Sequence, residues 1–354
     1  MLNMDIKEAL QKIIKAQNLS LDETKDVFEQ IMSGQASDAQ IGAFITALRL
    51  KGETAEEITG AAQIMRNKAV KLDVNAGVDI DAEDINIDEE TIVDTCGTGG
   101  SGTNTFNVST ACAFLVAGCG LKVAKHGNRS VSSQCGSADV LKELGVNIDL
   151  EPKKVAQCVK NIGIGFLYAP LFHGAMKYAI GPRREIGIRT IFNVLGPLTN
   201  PAGANSQVLG VYDDHLTQTI AEVLKNLGIK RAFVVCGANT LDEITITGQT
   251  RISELKDKDI KTYNIKPEDF NIKTCSLDEI KGGNSEDNAK IITDILNGKE
   301  GAKRDIVLLN SAAALVAGNL AKDFSEGINM AAESIDSKKA LKKLEELKEI
   351  SNKL

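Results

Sequence analysis

The chain has 354 residues, 43% of them apolar and 25% charged, with a formal net charge of −7. That length holds two domains or one large one, and the composition is that of a globular protein. The negative balance disfavours nonspecific nucleic-acid binding, which needs a basic surface. No apolar run approaches the roughly 18 residues of a membrane span, and the opening MLNMDIKEAL lacks a secretory apolar region. A cytoplasmic protein is therefore expected.

Residues 5–70 read as about four short helices. Ser20, Ser37 and Thr54 each stand three residues before Glu23, Gln40 and Glu57, the pattern of a capping box. Gly34 and Gly52 fall where the first two of these helices should stop. Ile41, Phe44, Ile45 and Leu48 line one helical face. The bundle carries no catalytic constellation and reads as packing or as a dimer interface. Asn75–Glu90 is acidic, poor in large apolar residues, and reads as a linker.

Beyond it, short apolar runs at 92–95, 121–125, 164–168, 208–212, 231–236 and 306–309 alternate with helix-like stretches. That alternation predicts an α/β fold with a mostly parallel sheet beside the small helical bundle. Phe172–Val194 reads as helical again, and the last 30 residues as a solvated amphipathic helix. Seven cysteines, at 96, 112, 119, 135, 158, 236 and 275, contain no C-x-x-C pair, so neither a disulfide framework nor structural zinc is expected. Cys112, Cys119, Cys158 and Cys236 read as core, and Cys96 and Cys135 as small packing residues near a site.

Two Gly-rich stretches carry the chemistry: Cys96–Thr110, CGTGGSGTNTFNVST, and Lys125–Asp139, KHGNRSVSSQCGSAD. Gly97–Gly102 follows an apolar run and precedes a helix-like one, a strand-to-helix turn. Its glycines let backbone N–H groups approach an anion. Asn107, Ser109 and Thr110 then fall at the first helical turn, where free N–H groups and the helix dipole favour phosphate. The dinucleotide fingerprint fits poorly: the glycine spacing is one residue short, and the basic Lys125-His126 stands where an acid is expected. A P-loop would need Gly-Lys-Ser/Thr, which does not occur. Lys125, ending a strand, is placed to meet phosphate, and Ser137, opening the next helix, to meet phosphate or cap that helix. Asp242-Glu243 follows an apolar strand and Gly237, at a strand's carboxyl end. The pair reads as solvated acid or as a Mg²⁺ site shared with a pyrophosphate.

These stretches, together with RREIGIRTIFNVLGPLTNP at Arg183–Pro201, resemble the anthranilate phosphoribosyltransferase family over nearly the whole chain. The resemblance implies a helical domain, 1–74 plus 170–197, that dimerises. It implies an α/β domain, 75–169 plus 198–354, that binds phosphoribosyl pyrophosphate. The substrates implied are anthranilate and phosphoribosyl pyrophosphate, with Mg²⁺ as cofactor, a homodimer, and neither nucleic acid nor membrane as partner. Gly97, Thr98, Gly99, Gly100, Ser101, Thr105, Asn107, Ser109, Thr110, Lys125 and Ser137 are the implied phosphoribosyl-pyrophosphate contacts. Gly97, His126, Asn128 and Arg183 are the implied anthranilate contacts, and Ser109, Asp242 and Glu243 the metal ligands.

Arg183 would take the anthranilate carboxylate through a bidentate fork, with Arg184 and Arg189 as neighbouring alternatives. An aniline-like amine is neutral at pH 7, so no acid or base residue is assigned. Ser101, Gly174 and Asn239-Thr240 depart from the family's usual Asp, Pro and Gly-containing run. The linker near 75–90 and the crossings near 170 and 196 are expected to hinge the two domains. Alternatives are a pyrimidine nucleoside phosphorylase of the same fold and a non-enzymatic nucleic-acid-binding relative. Arg183 and the acidic pair favour the transferase.

Overall fold

The computed structural model describes residues 4–74, 90–100, 102–130 and 134–354. Four helices open it: α1 (Ile6–Ile13), α2 (Leu21–Met32), α3 (Asp38–Lys51) and α4 (Ala55–Lys68). The three capping boxes form as the spacing predicts, with Ser20, Ser37 and Thr54 accepting from the N–H three residues on. α2 stops at Ser33-Gly34 and α3 at Gly52, the glycines taking φ of 75° and 89°. Ile41, Phe44, Ile45 and Leu48 are all buried, so the apolar stripe is the packed face of α3.

The sheet is built from β1 (Ile92–Gly97), β2 (Lys122–Gly127), β3 (Ile164–Tyr168), β4 (Ser206–Gly210), β5 (Arg231–Gly237), β6 (Thr250–Lys256) and β7 (Asp259–Ile265). Its order is β3-β2-β1-β4-β5-β6-β7. The first five strands pair in parallel, and β6 and β7 add an antiparallel hairpin at one edge. The sheet is thus mostly parallel, as the alternation of apolar runs predicts. The hairpin is not legible there, because β7 alternates polar residues at an exposed edge.

Helices α5 (Val108–Gly118), α6 (Ser137–Glu143) and α7 (Pro152–Ile162) join the early strands. Three more, α8 (Ala169–Phe172), α9 (Lys177–Ile186) and α10 (Phe192–Leu195), return the chain to the opening bundle. The Phe28 ring lies 6.2 Å from Phe44 and 5.8 Å from Phe192, centroid to centroid. α11 (Leu216–Asn226) joins β4 to β5, and α12 (Ser285–Leu296), α13 (Ala302–Ala317), α14 (Phe324–Asp336) and α15 (Lys339–Lys353) complete the fold.

Three expectations need correction or fall outside the described residues. The run at 306–309 is not a strand: it lies inside α13, where every residue from Ile306 to Ala317 is buried. A helix buried on all sides loses its periodic signal and reads like a buried strand. The last 30 residues form two helices, α14 and α15, and α15 turns Ala340, Leu344 and Leu347 inward. The expected linker falls almost wholly on 75–89, outside the described residues.

The helical core does not close on itself. It runs from Phe28, Phe44 and Phe192 into Leu209, Val211, Val234 and Leu255 on one face of the sheet. α5 and α13 contribute to a second core around Val93, Val123 and Phe233. Arg66 on α4 ties the parts further, donating from Nε to Leu198 O at 2.7 Å and from Nη1 to Leu227 O at 3.4 Å. No helix of the described residues is long and apolar enough to cross a membrane.

Candidate active site

The chain turns to β2 and β3 on one side of β1 and to β4 and β5 on the other, so the sheet order reverses at β1 and β4. Crevices of α/β sheets open at the carboxyl ends of such strands. Here both ends are glycine. A Cβ on Gly97 would lie 2.3 Å from Asp242 Oδ2, and one on Gly210 only 1.7 Å from the Asp242 carbonyl oxygen. Bare backbone at both positions is what lets the Asp242-Glu243 turn lie across the two strands.

The two carboxylates are then held by the first Gly-rich stretch. Asp242 Oδ2 accepts from Gly99 N at 2.8 Å, and Glu243 Oε1 accepts from Ser109 N, in the first turn of α5, at 3.3 Å. Lys125 is 3% exposed and donates from Nζ to Thr95 O at 2.7 Å and to Ser109 Oγ at 3.2 Å. Burial, and then the charge of Asp242, push Glu243 up to about 8, although Lys125 pulls the other way. The donors gathered here are oxygens, the set that suits Mg²⁺. A half-buried carboxylate that keeps its proton until a cation arrives fits such an ion. Asp213, Asp214 and His215, past β4, also lie within 4.8 Å of one another, but the aspartate 214 and the histidine stand in open solvent.

Other residues of the first stretch divide. Gly99, Gly100 and Gly102 take φ of 68°, 79° and 72°, so three positions of this loop are open to glycine alone at no steric cost. Thr98 N donates to Gly210 O at 2.9 Å. Thr105 is half-buried and forms an isolated bridge with Lys281. Asn107 caps nothing with its side chain. It reaches Cys135 O at 3.2 Å and accepts from Asn288 Nδ2 at 3.0 Å, tying the two stretches together. Thr110 turns inward, 1% exposed, with an unpartnered hydroxyl. Ser101 lies outside the described residues.

In the second stretch Gly127 ends β2, and a Cβ there would meet Ser137 Oγ at 2.1 Å. Ser137 does not cap α6. Gly136 is the cap residue, and Asp139 Oδ2 accepts from Gly136 N at 2.9 Å in its place. The Ser137 hydroxyl donates to Asn128 O at 3.3 Å, while Asn128 itself is exposed. His126 is buried with Nε2 3.2 Å from His173 Nε2. Burial and the neighbouring ring lower His126 to about 3, and burial lowers His173 to about 4, so both rings are neutral.

Arg183 on α9 is half-buried, its guanidinium 5.0 Å from the centre of the Phe192 ring, and Arg184 is exposed. Arg189 does what the sequence did not single out. It lies 4.5 Å from the Tyr212 ring centre and donates from Nη2 to Gly100 O, bracing the Gly-rich loop. Asp94, Asn200 and His173 were missed as well. Asp94 is fully buried in β1 and held by Asn200, inside the very motif Arg183–Pro201. A lone acid in an apolar strand was the signal that could have found it. All seven cysteines are free, and Cys119, expected in the core, is only half-buried.

Comparison with known proteins agrees from end to end. The model for the helical bundle domain of a glycosyl transferase family matches residues 7–69, and that for the α/β domain of the same family matches 89–341. The anthranilate phosphoribosyltransferase of Geotalea uraniireducens is 57% identical over 348 residues, 98% of this chain and 99% of that protein. The crystal structure of the Thermus thermophilus enzyme is 36% identical with a TM-score of 0.89, covering 97% of this chain and 99% of that one. The Saccharomyces cerevisiae enzyme in complex with PRPP and Mg is 29% identical with a TM-score of 0.86, covering 99% and 98%. It has also been solved in complex with 4-fluoroanthranilate.

Proposed function

The chain belongs to the glycosyl transferase family of the anthranilate phosphoribosyltransferases, and from that membership we propose the reaction in detail. The 5-phosphoribosyl group of phosphoribosyl pyrophosphate (PRPP) passes to the amine of anthranilate, giving N-(5-phosphoribosyl)anthranilate and pyrophosphate in tryptophan biosynthesis. The amine lone pair forms the new bond to the ribosyl carbon as the carbon–oxygen bond to pyrophosphate breaks, and the amine proton leaves to solvent. The transition state has oxocarbenium character, so the work is positioning and charge stabilisation.

One observation carries this reading: a half-buried acidic pair seated on Gly97 and Gly210 against Ser109 and Lys125. The Gly97–Gly100 turn and the first turn of α5, whose Gly99 and Ser109 N–H groups the acidic pair holds here, suit phosphate oxygens. Magnesium, when bound, would be held by Asp242 and Glu243 with Ser109 Oγ and would offset the charge of the departing pyrophosphate. His126 and His173, whose basicity burial lowers, leave the amine without a strong base, which an aniline-like amine does not need. Arg183 is assigned to the anthranilate carboxylate, and Asn128, beside the same loop, to both substrates.

The helical part, 1–74 plus 170–197, is proposed to dimerise and the remainder to bind PRPP. Leu50 and Ile14 are 82% and 70% exposed on the bundle, apolar surface that a second copy would cover. Light scattering should give twice the chain mass at micromolar concentration; a monomer would argue against it. The reaction is tested by mixing protein, PRPP, Mg²⁺ and anthranilate and following anthranilate fluorescence. Steady loss that stops when any one component is omitted supports it. Unchanged fluorescence with folded protein overturns it.

A further inference from the structure

β1 and β2 begin as an ordinary parallel pair, Ile92 opposite Lys122 and Val93 opposite Val123, and then their pairing ends. Each still pairs with its outer neighbour to the last residue, β1 with β4 through Gly97 and β2 with β3 through Gly127. The backbone groups facing the gap are met by side chains instead. His126 N donates to Asp94 Oδ1 at 3.3 Å, Asn200 Nδ2 donates to Ala124 O at 2.8 Å, and Lys125 Nζ donates to Thr95 O. Asn200 also grips the other Asp94 oxygen, Nδ2 to Oδ2 at 2.8 Å, and its own Oδ1 accepts from Ala202 N at 2.9 Å.

Asp94 is fully buried and Asn200 is 6% exposed. Placing an acid, an amide and an ammonium inside a sheet costs free energy that a continued ladder would not. What the arrangement provides is separation. The gap lets the Lys125 ammonium reach across to Ser109 on α5, and it parts the two strands just before each enters its Gly-rich loop.

We propose that Asp94 and Asn200 are positioning residues, a polar wedge that sets the spacing between the Gly97–Gly100 turn and the Lys125–Asn128 turn and so shapes the PRPP site. The proposal rests on the functional reading above. Neither residue touches substrate; each acts through the strand ends it holds.

Exchange of the two groups tests it. Asp94→Asn sets two amides against each other, and Asn200→Asp sets two carboxylates against each other. The double variant Asp94→Asn/Asn200→Asp restores an amide–carboxylate bond with the same net charge. Calorimetric titration with PRPP and Mg²⁺ should show each single variant about tenfold or more weaker than the parent, and the double variant recovering part of that loss, because the exchanged pair bonds again while the donor to Ala124 O stays lost. The KM for anthranilate, whose carboxylate is assigned to Arg183 on α9, should rise less than PRPP affinity falls in all three, the rise coming through Asn128. A parent that binds no PRPP overturns the functional reading, and the wedge with it. A parent that binds, with single variants binding equally well, overturns the wedge alone. So does a double variant whose binding loss is the product of the single losses. Should a single variant fail to fold, Asn200→Ser carries the same expected loss, and unchanged binding there overturns the wedge.

Discussion

Replacing Gly97 with alanine adds one methyl group at the point where the acidic turn crosses β1. The new Cβ would stand 2.3 Å from Asp242 Oδ2, and ordinary contact begins at 3.4 Å, so the carboxylate must retreat by about 1.1 Å. Gly97 does not have a positive φ, so the backbone itself tolerates alanine. The retreat lengthens or breaks the 2.8 Å bond from Gly99 N, a charge-assisted contact of roughly 1.5–3 kcal/mol. A misplacement of about 1 Å near the reacting groups costs on the order of 10²-fold in rate. Both routes lead to a fall of ~10–150-fold in kcat/KM with a small change in melting temperature. Steady-state kinetics over a Mg²⁺ series would show it as a higher Mg²⁺ requirement. Gly174→Ala is the control, because its Cβ would meet nothing within 4 Å. Gly97→Ala with kcat/KM within about twofold of the parent and an unaltered Mg²⁺ curve would refute the placement of Asp242 at the reaction centre.

Arg183 and Arg189 separate by substrate. Arg183→Ala should raise the KM for anthranilate by the worth of a lost fork, roughly 1.5–3 kcal/mol, while Arg189→Ala, which frees Gly100, should raise mainly the KM for PRPP; the reverse pattern in kinetics would exchange their roles. Folded Glu243 keeps its proton up to about pH 8, whereas an ordinary glutamate gives it up near 4.5. The cation-free protein therefore loses stability as pH rises through that window, since the folded state holds the extra proton. Calorimetry at pH 7 in buffers of different ionisation enthalpy should find nearly one proton released per Mg²⁺ bound, fading above pH 8 and absent in Glu243→Gln; no release in the parent counts against the site. Thr240 is exposed and β-branched at a φ of 61°, so Thr240→Gly should stabilise the protein by about 1 kcal/mol in urea unfolding. A destabilised variant would show that the loop needs the threonine.

The legible parts of this fold are the local ones. Ser20, Ser37 and Thr54 announce their helices because cap and partner are three residues apart. β1 to β5 show as apolar runs between Gly-rich turns, and Gly97–Gly100 shows as a turn between strand and helix. The Arg189 contact with the Gly-rich loop and the role of Asp94 were not legible. One reaches back 89 positions to Gly100, and the other is held by Asn200, 106 positions away. Such pairings are set by which strand ends the topology brings together, and no spacing rule encodes them. The Asp242-Glu243 pair was ambiguous for the same reason: its seat is made by Gly97 and Gly210, two glycines on strands far from it in the chain.

The shared core of bundle and sheet bears on how the chain is made. α4 is complete once residue 68 is synthesised, yet the Arg66 guanidinium finds its carbonyl partners at Leu198 and Leu227. At roughly 5–20 residues per second, the ribosome takes about 8–30 s to deliver the last of them. Through that interval the faces of the opening helices that later meet Leu209 and Val234 have nothing to cover them. Nascent chains arrested before β5 should therefore be degraded by protease across α1–α4, and those arrested after it should resist. The order in which this protein is built leaves its first four helices waiting for its fifth strand.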